Sequence, residues 1–175
     1  MLKKEVGGRG IPVINPMEGV KLRVGLIYLD IENPTEDLLN RLTVKNEGDK
    51  LAKYGITGET NLYSIVYKLS FGKFSGLFTG DMPPVVSDRL STLSEVEGLD
   101  YIKIPHHGSI NGITENLLKV LVPKLGVISV GKNSWGFPRP EILDMLEKYG
   151  VKVLRTDEMG DIKVASDGNT YWVEK

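Results

Sequence analysis

The sequence contains no cysteine and only two histidines, and both shortages limit the chemistry of the chain. Without cysteine there is no disulfide framework, no thiolate nucleophile and no cysteine-based zinc site. Any metal ion must therefore be held by imidazole and carboxylate groups. The two histidines, His106 and His107, are neighbours in the chain, so every imidazole-dependent function has to use this one position.

Long hydrophobic runs and an excess of one charge are also absent. No run approaches the roughly 20 apolar residues of a membrane helix, and the first residues lack the apolar stretch of a signal peptide. Lys and Arg total 22 against 23 for Asp and Glu, which leaves a formal net charge of −1. The balance excludes a strong electrostatic attraction of the whole chain to nucleic acid or anionic lipid. The sequence is typical of a soluble protein, which is compatible with a larger parent that has membrane segments.

What is present is typical of one globular domain. The 175 residues are 41% apolar and 26% charged, which supplies a core and excludes long disorder. The first half predicts a strand over residues 21–29, a turn and short helix after Asn33, and a flexible loop over residues 43–60. Two further strands, over residues 61–71 and 74–79, predict a hairpin because Gly72-Lys73 between them suits a tight turn.

The second half alternates strands with amphipathic helices, which predicts parallel strand pairing. The predicted helices cover residues 85–93, 114–121 and 139–149, and the predicted strands cover residues 99–105, 124–130 and 151–155. A last hairpin, residues 161–165 and 170–173, is predicted from the Asp167-Gly168 turn.

Three loops follow predicted strands at their carboxyl ends, where βα units place functional groups. They cover residues 79–81, 105–109 and 131–136. Asp81 and the pair His106-His107 are of the types that zinc or manganese accepts. Ser109 and Asn133 are placed to contact a substrate oxygen.

Other interpretations stay open for the same residues. Asp81 is equally suited to cap the helix that follows it. The two histidines also fit a surface turn, although their adjacency favours function. Asn133 is typical of a turn former and Trp135 of a packing residue.

Five segments carry a family resemblance through their order and spacing. They are residues 61–66 (Asn-Leu-Tyr-Ser-Ile-Val), 77–81 (Leu-Phe-Thr-Gly-Asp), 104–109 (Ile-Pro-His-His-Gly-Ser), 128–133 (Ile-Ser-Val-Gly-Lys-Asn) and 155–157 (Arg-Thr-Asp) with Gly160. Each is weak alone. Together, from about Gly19 to the C-terminal end, they resemble the metallo-β-lactamase-like domain of DNA-internalisation competence proteins.

The resemblance implies an α/β (α+β) fold, an αββα sandwich of two sheets faced by helices, of which this chain matches the C-terminal half: a mixed sheet with helices on one face. It also implies a di-metal site with zinc or manganese, and hydrolysis of a phosphodiester such as DNA by a metal-activated water. The parent family serves DNA uptake and is attached to a bacterial cell membrane. In this family Asp81 would be a bridging metal ligand, and His106 or His107 would supply another. The implied catalytic set is Asp81, His107 and Ser109, and Asn61, Ser109 and Asn133 would line the substrate site.

Two departures from the family pattern shape the expected activity. The signature His-x-His-x-Asp-His belongs to the N-terminal half of the domain, and no histidine precedes His106, so residues 1–175 are expected to be a single partial domain. Phe137 stands where the family has a histidine, in an Asn-x-Tyr-Gly-His-Pro pattern. One carboxylate and two adjacent imidazoles do not complete two metal coordination spheres. We therefore expect weak or no metal binding and no activity by this chain alone.

A half sandwich would leave one apolar sheet face in water, so a cover is expected. A homodimer or a complementary chain carrying the N-terminal half would serve, and so would the segment before Asn61. The alternatives for function are a non-catalytic interaction module that kept the fold, and one half of a split hydrolase rebuilt with its partner chain.

Overall fold

A seven-stranded sheet, with its strands in the order in which they occur along the chain, organises the structure. The structure is a computed structural model that describes residues 8–9, 12–44 and 60–174. For residues 41–44 it describes the backbone alone. The strands of the main sheet are β1 (Lys21–Val24), β2 (Ile27–Asn33), β3 (Val66–Phe71), β4 (Phe74–Phe78), β5 (Tyr101–Lys103), β6 (Leu125–Ile128) and β7 (Lys152–Arg155). A separate hairpin consists of β8 (Lys163–Ser166) and β9 (Tyr171–Glu174).

Five α-helices accompany these strands in the described ranges. They are α1 (Glu36–Val44), α2 (Pro84–Leu90), α3 (Glu115–Leu121), α4 (Pro140–Lys148) and α5 (Thr156–Met159). Residues 45–59 of the predicted flexible loop over 43–60 lie outside the described residues. The first two residues of that prediction end α1, and its last residue begins a 3-10 helix, Thr60–Tyr63. In the described part of the chain no helix is both long enough and apolar enough to cross a membrane.

The first four strands pair antiparallel. The hairpin predicted around Gly72-Lys73 is confirmed as β3 and β4. The predicted start of its first strand at residue 61 is wrong, because Thr60–Tyr63 form a 3-10 helix and β3 begins at Val66. The single strand predicted over residues 21–29 is wrong, because the chain turns at Gly25 and returns as β2. Gly25 has φ +63, a left-handed value that glycine adopts without steric cost, and the apolar pattern continues through the turn. The sequence pattern alone does not reveal such a turn.

The strands from β4 to β7 pair parallel, with α2, α3 and α4 in the connections. The predicted βα alternation is thus confirmed. Because the strand order never reverses and crossovers of this kind are right-handed, all three helices fall on one face of the sheet. Their apolar sides form one buried cluster with the sheet. It includes Leu77, Ile102, Ile128, Val86, Leu90, Leu117, Leu118, Leu121, Ile142 and Leu146.

The terminal hairpin, confirmed as β8 and β9, covers part of the opposite face. Its apolar side chains pack with Tyr101, Leu125, Val127 and Leu154 of the main sheet. In the segment before Asn61, residues 21–33 extend the sheet as β1 and β2. On β1 the side chain of Val24 is 67% exposed, so the apolar face continues beyond the hairpin.

The two hairpin turns touch each other through glycines. The Lys73 N–H donates to the Gly168 carbonyl at 2.6 Å. A Cβ at Gly72, where φ is +59, would lie 2.2 Å from the Gly168 oxygen. The contact requires glycine at position 72 and anchors the covering hairpin to the β3–β4 turn.

Gly72→Ala therefore tests this anchor, with Gly25→Ala as the matched control. Gly25 has a similar positive φ in a hairpin turn, and a Cβ there meets nothing within 4 Å. Gly25→Ala should lower the free energy of unfolding by about 1–2 kcal/mol, the cost of a left-handed alanine. Gly72→Ala should cost about 1–3 kcal/mol more because of the overlap with Gly168. Equal losses in urea unfolding would show that the two turns do not touch.

Glu115 links the start of α3 to the end of α4, which predicts a pH dependence. Lys148 and Tyr149 donate hydrogen bonds to the Glu115 carboxylate at 2.8 and 2.6 Å. These bonds lower the pKa of Glu115 from its ordinary 4.5 to about 2. A lowered folded-state pKa stabilises the fold above the unfolded-state pKa, and this contribution is lost as the pH falls through the folded-state pKa.

We expect Glu115→Gln to be less stable than the wild-type chain at neutral pH in denaturant unfolding. The difference should shrink as the pH falls from 4.5 and vanish near pH 2. A difference that stays constant over this pH range would mean that the carboxylate charge contributes nothing to stability.

Candidate functional site

The carboxyl ends of β4, β5, β6 and β7 meet at one edge of the sheet because these strands are parallel. The loops that follow them carry the three predicted groups of polar residues, and Thr156 follows β7. Asp81 and His107 are brought into direct proximity at this edge. The edge is the candidate functional site.

Asp81 is positioned by the segment that precedes β3. Its backbone N–H donates to Ser64 Oγ at 3.2 Å. The fully buried Asn33 side chain in turn donates to the carbonyls of Leu62 and Ser64, both at 2.8 Å. The helix-capping interpretation of Asp81 is wrong, because α2 has Pro83 at its cap position and no side-chain cap. The Asp81 carboxylate is therefore available to the candidate site.

His107 has a defined ring orientation. Its Nδ1 lies 2.7 Å from the Ser129 carbonyl oxygen, and since a carbonyl only accepts, Nδ1 carries the proton and donates. Its Nε2 then faces Asp81 Oδ2 at 3.7 Å, which is too long for a hydrogen bond. An imidazole that donates one N–H to a backbone carbonyl and presents its other nitrogen is the usual arrangement for a metal-binding or proton-transferring histidine.

The backbone beneath the two histidines is strained. His106 and His107 have φ values of 49 and 55, in the left-handed region that non-glycine residues seldom adopt. Gly108 follows at φ +80, and a Cβ there would lie 2.5 Å from Pro138 Cβ. The surrounding packing holds this strained turn in place, and such strain concentrates at functional sites.

Lys103, at the end of β5, is the second partner of Asp81. Its Nζ donates to the Gly80 carbonyl at 3.0 Å and lies 3.7 Å from Asp81 Oδ1. The pKa of the Lys103 ammonium is lowered by burial, and the neighbouring Asp81 carboxylate offsets this lowering only in part. Asp81 thus has a cation on one side and the His107 ring on the other.

These residues do not fit a metal centre by themselves. Within the described ranges no three His, Asp or Glu side chains come close enough to hold one ion. The rings of His106 and His107 diverge, with centroids 6.4 Å apart, and the His106 ring packs against Phe137. His106 Nδ1 is buried and lacks a hydrogen-bond partner among the described residues. The single carboxylate is already paired with the Lys103 ammonium.

Asn133 organises the loop after β6. Its Nδ2 donates to the carbonyls of Gly131 and Phe137, both at 2.9 Å. Its Oδ1 accepts from the backbone N–H groups of Trp135 and Phe137 at 3.1 and 3.0 Å. All the hydrogen-bonding positions of this amide are therefore used inside the loop. The turn-forming role is confirmed, and a substrate contact by Asn133 stays a prediction.

A cleft of about 400 Å³ lies between this loop and His107. Its walls include His107, Lys132, Trp135, Phe137 and Thr156. The Trp135 ring is stacked near Phe137, with centroids 6.3 Å apart and planes 26° apart, and the indole is 69% exposed. The packing interpretation of Trp135 does not fit this exposure.

The remaining predicted residues lie around the site in different environments. Ser109 is only 3% exposed, and its Oγ accepts from the Asn111 N–H at 3.1 Å. Asn61 lies in the 3-10 helix before Ser64, whose N–H donates to the Asn61 carbonyl at 3.1 Å. Their assigned roles stay predictions.

Sequence reasoning missed three residues of this edge: Ser64, Lys103 and Thr156. Thr156 Oγ1 accepts from the Val130 N–H at 2.8 Å and donates to the Val130 carbonyl at 2.7 Å, which ties β7 to the loop after β6. Ser64 and Thr156 lie in segments that carry the family resemblance, and Lys103 is a charged residue in an otherwise apolar strand. The contacts of Ser64 and Thr156 depend on chain packing.

Comparison with known proteins identifies two similar curated sequences. ComE operon protein 3 of Bacillus subtilis (strain 168) is 32% identical over 104 residues, which is 59% of this chain and 13% of that protein. Recombination protein 2 of Haemophilus influenzae is 32% identical over 111 residues, 62% of this chain and 14% of that protein. The matches thus span about one seventh of the length of these relatives. No family model matches the sequence.

Two solved structures are similar in fold at low sequence identity. A mutant of the CmlA beta-hydroxylase superposes with a TM-score of 0.50 at 14% identity, over 82% of this chain and 32% of that chain. A protein of Parabacteroides distasonis described as a metal-dependent hydrolase superposes with a TM-score of 0.48 at 14% identity, over 87% of this chain and 61% of that chain.

The mixed sheet with helices on one face confirms the predicted fold class, which is metallo-β-lactamase-like. The two curated relatives confirm the predicted resemblance to competence proteins. By sequence and fold, the chain resembles the C-terminal half of the metallo-β-lactamase-like domain of the DNA-internalisation competence proteins.

Proposed function

We propose that the chain is part of a hydrolase domain of the competence-protein type, and that it supplies the Asp81–His107 side of a site for phosphodiester hydrolysis. The supporting observation is that His107 Nε2 faces Asp81 Oδ2 at 3.7 Å at the carboxyl edge of the sheet, with Nδ1 committed to Ser129. Residues 1–175 form a single partial domain in this proposal, and the chain is inactive alone.

The local chemistry of the pair explains why it needs a complement. With Nδ1–H donated to a carbonyl, Nε2 of neutral His107 has a lone pair that accepts a proton from a substrate or water. The Asp81 carboxylate stabilises the resulting imidazolium, because opposite charges attract across 3.7 Å. When His107 is neutral, its Nε2 lone pair and the Asp81 carboxylate face each other as two acceptors, an arrangement that a cation between them would stabilise. The described residues hold too few ligands to bind such a cation tightly.

The other site residues support this pair in different ways. Lys103 places a positive charge beside Asp81, where a phosphate oxygen would be attracted. His106 Nδ1 is buried without a hydrogen-bond partner in the described ranges, and we propose that it binds a group that another chain supplies. Asn61, Ser109 and Asn133 are proposed to shape the substrate side of the site.

The resemblance implies zinc or manganese for the parent activity. Such an ion would activate the attacking water in the complete domain. This chain would contribute Asp81 and either His106 or His107 to its coordination. Residues from the complementary half would supply the rest.

Asp81→Ala tests the proposed inactivity, and Asp88→Ala is its matched control. Asp88 is an aspartate of α2 whose Oδ1 accepts a hydrogen bond from Asn116, outside the site. In assays of phosphodiester hydrolysis with added manganese or zinc, we expect the purified chain to be as inactive as both variants. Robust turnover that is lost in Asp81→Ala and kept in Asp88→Ala would overturn the claim that the chain is inactive alone.

A non-catalytic interaction module is the second candidate function. Two observations favour it: Lys103 already neutralises Asp81, and Phe137 stands where the family has a histidine. A calorimetric zinc titration tests the module. Stoichiometric binding that depends on His107 would contradict it, whereas an isolated half of the hydrolase and the module are both expected to bind zinc weakly or not at all.

We infer that a second sheet covers the part of the apolar face that the β8–β9 hairpin leaves open. It comes from a second copy of the chain or from a chain carrying the missing half. Exposed apolar side chains such as Val24 support this inference, since a large exposed apolar face is unusual in a monomer.

The solution mass tests the covered face directly. We expect light scattering to give a mass near twice 19.4 kDa, or a 19.4 kDa monomer that binds a hydrophobic dye and therefore awaits a complementary chain. A monomer that binds no dye would contradict the inference.

A further inference from the structure

We propose that the loop of residues 131–138 is a nucleobase-stacking subsite for single-stranded nucleic acid. The indole of Trp135 receives one base, and Lys132 binds the adjoining phosphate in the cleft beside His107. This inference rests on the proposed function, because it names the substrate class of the same site.

The exposure of Trp135 is the first argument. The side chain is 69% exposed, although a tryptophan gains more free energy from burial than almost any other residue. One face of the loop is already aromatic, since the Trp135 and Phe137 rings are inclined by only 26°. A planar aromatic ligand that stacks on the indole would remove this exposed surface from water. Every nucleobase has a π-face that can stack on an aromatic side chain in this way.

The rigidity of the loop is the second argument. The four hydrogen bonds of Asn133 fix the backbone on both sides of Trp135. The Arg139 guanidinium lies over the Phe137 ring, 5.8 Å from its centroid. Thr156 anchors the start of the loop through Val130. A loop fixed in this way loses little conformational entropy when a ligand binds.

The charge and size of the cleft are the third argument. The cleft of about 400 Å³ joins the aromatic loop to Lys132 and His107. An aromatic platform next to a cation matches the alternation of base and phosphate along a single strand. The bases of a duplex are stacked on one another and present no free face, so a single strand is the occupant that this geometry favours.

The two tryptophans of the chain allow a direct fluorescence test. Trp172 lies on β9, is 43% exposed, and donates its indole N–H to Glu174, so it is a matched control outside the cleft. Trp172→Phe leaves Trp135 as the only indole reporter, and Trp135→Phe leaves Trp172. On titration with a short oligodeoxythymidylate in the presence of EDTA, we expect quenching in Trp172→Phe and none in Trp135→Phe.

Affinity measurements with a labelled oligonucleotide complete the test. Trp135→Ala should weaken binding by about tenfold, the equivalent of about 1.4 kcal/mol within the range for one stacked base. Trp172→Ala should leave affinity unchanged. Lys132→Ala should lower the slope of log affinity against log salt by about 0.7, the value for one phosphate contact on a single strand. Circular dichroism of each variant verifies that the fold is intact.

Three results would overturn the subsite. They are equal affinities of the two tryptophan-to-alanine variants, equal binding of an abasic strand of the same length, and equal binding of duplex DNA. An abasic strand that binds as well would mean contact with phosphate only. Because EDTA prevents metal-dependent cleavage, these outcomes are independent of the hydrolysis and zinc experiments on Asp81 and His107.

Discussion

Parallel pairing of β4 to β7 is the constraint on which the rest of the structure depends. Parallel strands end at the same edge, so the loops after them must share one region of the surface. The same pairing requires a crossover after each strand, and its fixed hand puts α2, α3 and α4 on one face. Polar residues distant in sequence thus meet at the edge, while one helical layer buries the sheet behind them.

The electrostatics at that edge distinguish this chain from a complete metal centre. Asp81 is flanked by Lys103 Nζ and His107 Nε2, each at 3.7 Å, so a protein cation already balances the carboxylate. The left-handed backbone of His106 and His107 is nevertheless held in place by the tightly packed Gly108. Strain of this kind has an energetic cost, and its retention accords with a role for His107 in binding or proton transfer.

Local chemistry explains which elements the sequence predicts well. Gly72-Lys73 and Asp167-Gly168 specify tight turns, so both hairpins are predictable from a few residues. The helices are predictable from their apolar periodicity and from residues such as Thr114, which caps α3. The strand over residues 21–29 is mispredicted because Gly25 interrupts no apolar pattern. The turn at Gly25 depends on the pairing of β1 with β2, which the residue pattern does not indicate.

The sequence by itself determined the fold class, the carboxylate and imidazoles of the edge, and the resemblance to competence proteins, because these follow from residue type, order and periodicity. Only the tertiary structure decided that Lys103 pairs with Asp81, that the Asn133 amide makes its hydrogen bonds inside its own loop, and that Trp135 stays exposed. Hydrogen-bond partners and exposure depend on distances between segments that are far apart in the chain. Those distances exist only once the strands have paired.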